Sequence, residues 1–306
     1  MGKGIADMKF STLYSIIWDK KIRFSTLEQL GFYNMVPDET YIKKSYKVRT
    51  GHELNLTHPQ TFNEKLQWLK LNDRNPLYTV MVDKYKVKDY VSKKIGEKYI
   101  IPTIGVWDYP DNIDFSSLPN QFVLKCNHNS GGLYICRDKT KLDIDAVKKG
   151  LRKAIKHNYY YQGREWPYKD VPRKILAEKY MVDESGAELK DYKIFCFSGE
   201  PKFIQVDYNR FAEHKRNLYT LGWQYIDARI QFPSDRNVII DRPKKLDEMI
   251  DIARTLSEGL YHIRVDLYSI RNKIYFGELT LYHGSGYEEF VPESFGYSVG
   301  KWLNIG

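Results

Sequence analysis

The sequence has little cysteine, no long apolar run and none of the short signatures of covalent catalysis. Cys126, Cys136 and Cys196 are its three cysteines in 306 residues, and none forms a CxxC pair. That usage excludes a disulfide framework and suits a reducing compartment. The apolar stretch Tyr14-Ser15-Ile16-Ile17-Trp18 is too short to cross a bilayer and runs into Lys20, Lys21 and Arg23. No secretory leader is expected, and the expected location is the cytoplasm, with the inner face of the membrane as an anionic surface within reach. GxxxxGK[ST] is absent, which excludes a Walker A loop. No Ser/His/Asp or Cys/His arrangement stands out. There is no internal repeat. No RRM, KH or helix-turn-helix pattern is visible and the basic charge is spread along the chain, so nucleic acid is not an expected partner.

What is present is a core-forming share of hydrophobic residues, 42%, with 25 tyrosines and a formal net charge of +9. That charge favours anionic partners such as nucleotides, acidic glycans or lipid phosphates. Oligomeric state has no signal in the pattern. The most informative stretch is Arg264 to Gly286, RVDLYSIRNKIYFGELTLYHGSG, in which Asp266 and Glu278 stand twelve residues apart. Arg264 to Tyr268 and Ile274 to Leu279 read as strands, and Ser269 to Lys273 as the turn of a hairpin. Alternation then places the two acids side by side on one face. Paired carboxylates repel unless a cation lies between them. Mg²⁺ shared with nucleotide phosphates fits such a pair; an exposed hairpin with two solvated acids is the plainer alternative.

Helical patterns run over Thr12 to Ile17, Thr26 to Gly31 and Glu39 to Tyr46. Thr61 and Glu64 form a capping box ahead of Phe62, Leu66 and Leu69, which predicts a firm helix. Asp83 reads as the N-cap of a helix reaching Gly96, with Lys84 in its first turn. Phe122-Val123-Leu124 is a β run that delivers Lys125 to the loop Asn127 to Gly132. Its His128, Ser130 and Gly131 suit phosphate oxygens, although a plain hairpin turn explains the loop equally well. Asp143-Ile144-Asp145 is a DxD of the kind metal-dependent glycosyltransferases use, yet it precedes a helical pattern and reads better as a cap. The aromatics from Tyr159 to Trp166 suit packing or stacking on sugar rings. Lys174 to Met181 and Lys190 to Phe197 read as strands, the second with Asp191 and Lys193 on one face. Leu246 to Tyr261 reads as an amphipathic helix.

The order of these pieces resembles the ATP-grasp superfamily, and more narrowly its TupA-like branch, associated with teichuronopeptide and capsular polysaccharide synthesis. FNEKLQWLKL, DKYKVKDYV, FVLKCNHNSGG, ILAEKYM, DYKIFCFSGEPKFIQVD and IYFGELT carry the resemblance, from about Thr61 to Gly286. It implies an α+β ATP-grasp fold in which two α/β subdomains clasp ATP, residues 61–174 and 175–306, behind a mostly helical extension, residues 1–60. Lys84 and Lys125 would hold the α- and β-phosphates, with the Asn127 to Gly132 loop closing over them. Glu178, Lys179, Tyr180 and Met181 would read adenine, and Asp191 the ribose. Lys193 would lie near the phosphates or the substrate. Asp266 and Glu278 would bind Mg²⁺, Glu278 bridging two ions. Thr280 stands where many members carry asparagine, and its hydroxyl is a poorer metal ligand. The implied chemistry is ATP-dependent joining of a carboxylate to an amine through an acyl phosphate, with Arg264, Arg210 or Arg216 stabilising the oxyanion. The expected substrates are a uronic acid or other anionic glycan and an amino acid or amine. A glycosyltransferase using Asp143, an ATP-dependent kinase of the same pathway and a non-catalytic binding module are the competing readings.

Overall fold

The computed structural model describes residues 18–129, 132–183, 189–209 and 213–306. The expected helix at Thr12 to Ile17 lies outside them. Helices α1 (Lys20–Gln29) and α2 (Asp38–Thr50) come first. Asp19 caps α1 by accepting from the Lys21 and Ile22 amides. Gly51, at φ 86°, ends α2 in the left-handed region open to glycine. Phe24, Tyr41 and Ile42 form a small core between the two. Both helices are longer than the periodicity predicts, because α2 continues to Thr50 through basic residues that suit a helix C-terminus.

Helix α3 (Phe62–Asn72) starts at the Thr61/Glu64 capping box, with both reciprocal bonds present. Helices α4 (Leu77–Val82) and α5 (Lys86–Ile95) follow. The structure corrects one local reading here. Asp83 closes α4, and its carboxylate accepts from the Tyr85 and Lys86 amides, so Lys84 sits in the tight connection between helices and not in a first helical turn.

A four-stranded antiparallel sheet has the order β1 (Thr103–Trp107), β4 (Ile175–Lys179), β2 (Phe122–Cys126), β3 (Tyr134–Cys136). Helix α6 (Ile144–Lys156) covers it, placing Val147 and Leu151 against Phe122, Leu124, Ile175 and Ala177. A six-stranded sheet has the order β11 (Lys273–Thr280), β10 (His262–Ile270), β5 (Asp191–Phe197), β6 (Glu200–Tyr208), β7 (Lys215–Thr220), β8 (Tyr225–Ile226). Two short strands, β9 (Arg229–Ile230) and β12 (Phe290–Val291), pair with each other. Helix α7 (Leu246–Ser257) packs its apolar stripe into the core of the large sheet, and α8 (Glu293–Trp302) closes the chain against α3.

Strand pairing cuts across the division expected at residues 174/175. β4 lies inside the first sheet, between β1 and β2. Helices α3 to α5 bury Phe62, Leu66, Leu69, Met81, Val87 and Val91 in the core of the second sheet. Chain order does not decide which sheet an apolar helix face covers; the larger unfilled face does. Among the described residues no helix is long and apolar enough to cross a membrane.

Candidate active site

The hairpin β10–β11 sets the centre. Its turn is tighter than expected: Arg271 and Asn272 take φ 49° and 60°, the paired positive values of a two-residue turn whose twist matches the strands. The strands consequently extend over Ser269, Ile270 and Lys273. Asp266 pairs directly with Glu278, and a bulge at Gly277 separates this pair from Leu267/Phe276. A Cβ on Gly277 would stand 3.0 Å from the Asp266 carbonyl oxygen, so a glycine suits the close approach.

Arg264 holds the carboxylates together. It donates to Asp266 through Nε and Nη2 at 2.6 Å each, and to Glu278 at 3.1 Å. Lys193, opposite Asp266 on β5, donates to it at 2.8 Å and lies 3.3 Å from Asp191. Burial alone would push the Lys193 ammonium down, but Asp191 and Asp266 outweigh it and hold it above the ordinary value. Burial likewise opposes ionisation of Glu278, yet Lys84, Arg264, Lys193 and Lys125 bring its carboxyl down to about 2. The Glu278 side chain is 42% exposed, because it faces open cavity space, while Asp266 lies behind Arg264 at 1%.

Two cavities meet beside this cluster, and Lys84 lines both. The first, of about 400 Å³, combines an apolar floor including Ile101, Val123, Ile135, Met181 and Phe276 with cationic walls. Glu178 lies within it, ion-paired with Lys88 and Lys125 at 2.6 Å each. Burial raises the Glu178 carboxyl, and the two lysines more than reverse this, holding it below the ordinary range. Lys179, Tyr180 and Met181 complete that wall. The second cavity, of about 680 Å³, is lined by Arg264, Glu278 and Thr280 on one side and by Glu28 and Arg49 of the N-terminal helices on another. A third, of about 760 Å³, shares Arg49, Gln231, Tyr287 and Glu288 with the second.

The structure thus brings Lys84, Lys125, Glu178, Lys179, Tyr180 and Met181 around one cavity, and Arg264, Glu278 and Thr280 around the next. The Thr280 hydroxyl lies 3.4 Å from Glu278. Asp191 and Lys193 line neither; both are buried behind the carboxylate pair. His128 is turned away, with Nε2 3.1 Å from the His157 carbonyl oxygen. Arg216 is committed to Asp207 and Glu288 at 2.7 Å each. Ser130, Gly131 and Arg210 lie outside the described residues. Asp143 accepts from the Ala146 amide as the N-cap of α6, which accounts for the DxD. Sequence reasoning missed Lys88, Arg49, Glu28 and Glu165. Only Lys88 had a local signal, its place in the DKYKVKDYV motif that carries the family resemblance.

Among the described residues no three histidine, cysteine, aspartate or glutamate side chains converge to hold a metal on their own. The donor set nevertheless fits Mg²⁺, which takes one or two carboxylates and leaves its remaining positions to phosphates and water. Glu278 faces the space where such an ion would sit, with the Thr280 oxygen beside it.

Glu288, at the junction of the second and third cavities, gives a pH test. Burial opposes its ionisation, but His283 at 2.8 Å and Arg216 at 2.7 Å bring it from 4.5 to about 2. A depressed carboxyl stabilises the fold above its unfolded value and loses that contribution as pH falls toward the folded one. Glu288→Gln should therefore cost about 3 kcal/mol near neutral pH, measured by urea unfolding. The gap from wild type should close as pH falls from about 4.5 toward 2. A gap that stays constant over that window would refute the assignment.

A model of the family described as TupA-like ATPgrasp matches residues 64–304. Among solved structures, the D-alanine–D-alanine ligase from Bacillus anthracis is 17% identical, with a TM-score of 0.42, covering 73% of this chain and 66% of its own. The D-alanine–D-alanine ligase from Helicobacter pylori is 15% identical, with a TM-score of 0.39, covering 68% and 56%. The N5-carboxyaminoimidazole synthetase from Staphylococcus aureus, complexed with ADP, is 13% identical, with a TM-score of 0.38, covering 66% and 45%. The chain thus spans 45% to 66% of the lengths of these proteins. No curated protein matches it.

Proposed function

The chain belongs to the TupA-like ATP-grasp family, and from that premise we propose that it is an ATP- and Mg²⁺-dependent carboxylate–amine ligase. The observation that carries this is the meeting of two chemically distinct cavities at Lys84, with Glu278 of the carboxylate pair facing the second. The first suits a nucleotide: apolar side chains flank the base, Lys84 and Lys125 neutralise phosphates, and the backbone from Glu178 to Met181 offers hydrogen bonds to the base edge. The second suits the acid and the amine.

In this reading Glu278, Thr280 and Asp266 hold Mg²⁺, which would neutralise charge on the transferring phosphoryl group. Asp266 reaches an ion only if Arg264 releases it. Arg264 stands at the boundary of the second cavity, where charge develops on the acyl oxygen, and acts there as an electrostatic stabiliser. Lys193 positions Asp266 from behind and, with Arg264, opposes the rise that burial imposes on its carboxyl. Asp191 and His128 are buried in other contacts, so we assign them positioning roles. Ser130, Gly131 and Arg210 keep only their sequence-based assignments. Residues 61–306 form the nucleotide-clasping body, with its strand-pairing boundary after β4.

The acid is proposed to be a uronic acid of a cell-surface polysaccharide or its precursor, and the amine an amino acid. The glycosyltransferase reading is weaker because Asp143 is used as a helix cap. Calorimetry with MgATP and with a UDP-sugar separates the two. ATP should bind, and Lys125→Met should weaken it by about tenfold or more, since the variant loses a charged phosphate contact. Binding of the UDP-sugar in place of ATP would overturn the ligase reading.

A further inference from the structure

Four carboxylates line the second cavity: Glu28, Glu165, Glu278 and Glu288. Three are ion-paired, Glu28 with Arg49 at 2.9 Å, Glu278 with Arg264 at 3.1 Å and Glu288 with Arg216 at 2.7 Å. Among the described residues, Glu165 is the one of the four with no lysine, arginine or histidine nitrogen within 4.0 Å. It is 5% exposed, and the Ser285 hydroxyl beside it opposes the rise that burial imposes on its carboxyl. Lys70 donates to the same Ser285 oxygen at 2.9 Å and is anchored on the Gly163 and Ser285 carbonyls at 2.8 Å each. Lys70 therefore stands one hydroxyl behind Glu165.

Joining an amine to an activated acid needs the free base. An alkylammonium has an ordinary pKa of about 10, so near neutral pH its lone pair is tied up in an N–H bond. Glu278 is held by Arg264, and Glu288 by Arg216. Glu28 is spent on Arg49. We propose that Glu165 binds the substrate amine and takes its proton, an assignment that rests on the ligase reading above. The ammonium transfers one proton to the Glu165 carboxylate. The freed nitrogen lone pair attacks the acyl carbon, the C–N bond forms, and the C–O bond to phosphate breaks. The second nitrogen proton leaves with the phosphate, and Glu165 returns its proton to solvent through the cavity.

The surroundings agree with that task. Burial raises the Glu165 carboxyl above the ordinary range, and Lys70 opposes the rise. Glu278 and Lys84 act on it as charges, and Tyr168, Tyr282 and Tyr287 line the same cavity.

The test uses the full chain labelled with δ-¹³C glutamate and saturated with Mg²⁺ and a non-hydrolysable ATP analogue, with ethylammonium as the amine probe. The resonance missing from Glu165→Gln should titrate above an ordinary glutamate, because burial disfavours its charged form. Ethylammonium should shift it, and should bind Glu165→Gln about tenfold more weakly. Ser285→Ala keeps the carboxylate but removes the hydroxyl that opposes its rise, so the midpoint should rise further. If Glu165→Gln does not fold, the shift in Ser285→Ala identifies the resonance. An ordinary or lower midpoint, or a resonance unmoved by ethylammonium while the analogue is bound, would overturn the proposal alone. Failure of the analogue to bind would overturn the ligase reading, and this proposal with it.

Discussion

Replacing Glu278 with glutamine is expected to erase the Mg²⁺ dependence of ATP binding and to cut turnover by about a thousandfold or more. Glu278 is the member of the carboxylate pair that faces the cavity, 42% exposed where Asp266 is 1%. Against its burial, Lys84, Arg264, Lys193 and Lys125 hold its carboxyl at about 2, so its negative charge persists across the working pH range. Glutamine preserves shape and removes that charge. A metal would lose its accessible anionic ligand. Metal-free ATP, by contrast, would meet less repulsion and should bind as well as to wild type or better. The fold should survive, because Arg264 keeps both bonds to Asp266. Calorimetry with and without Mg²⁺, on wild type and variant, checks this. Undiminished Mg²⁺ dependence in the glutamine variant would remove Glu278 from the metal site.

The largest loss of stability is expected at Phe62. Its ring is fully buried and meets Phe195, Phe197, His262 and Phe290 edge-on, with centroids 5.0 to 6.4 Å apart. It sits in the first turn of α3, where the helix locks onto the large sheet and onto α8. The partners come from β5, β10 and β12, so no single neighbour can move into the space. Phe62→Ala should cost about 3–5 kcal/mol, the range for aromatic truncation in a core that cannot collapse. Urea unfolding measures it. A cost below about 1.5 kcal/mol would mean that α3 adjusts to fill the void. Cavity chemistry should be affected only through folding, because Phe62 lines none of the three cavities.

By itself the sequence determined what short-range physics fixes. The Thr61/Glu64 box announces α3 because its reciprocal hydrogen bonds lie within one turn. The hairpin that pairs Asp266 with Glu278 was legible because strand alternation and a polar turn are local. The order of the six motifs was enough to place the chain in its family, which the match over residues 64–304 bears out. Tertiary structure alone decided which charges meet. That Lys193 meets Asp266, and that Glu178 draws in Lys88 and Lys125, depends on strands and a helix far apart in the chain. Arg49, in a stretch that carried little family signal, reaches the second cavity because α1 and α2 fold back against the body. Glu165 looked like one more residue in an aromatic run. Its lack of a cation follows from where Lys70 and Ser285 end up, and burial and ion pairing are properties of neighbours far apart in the chain.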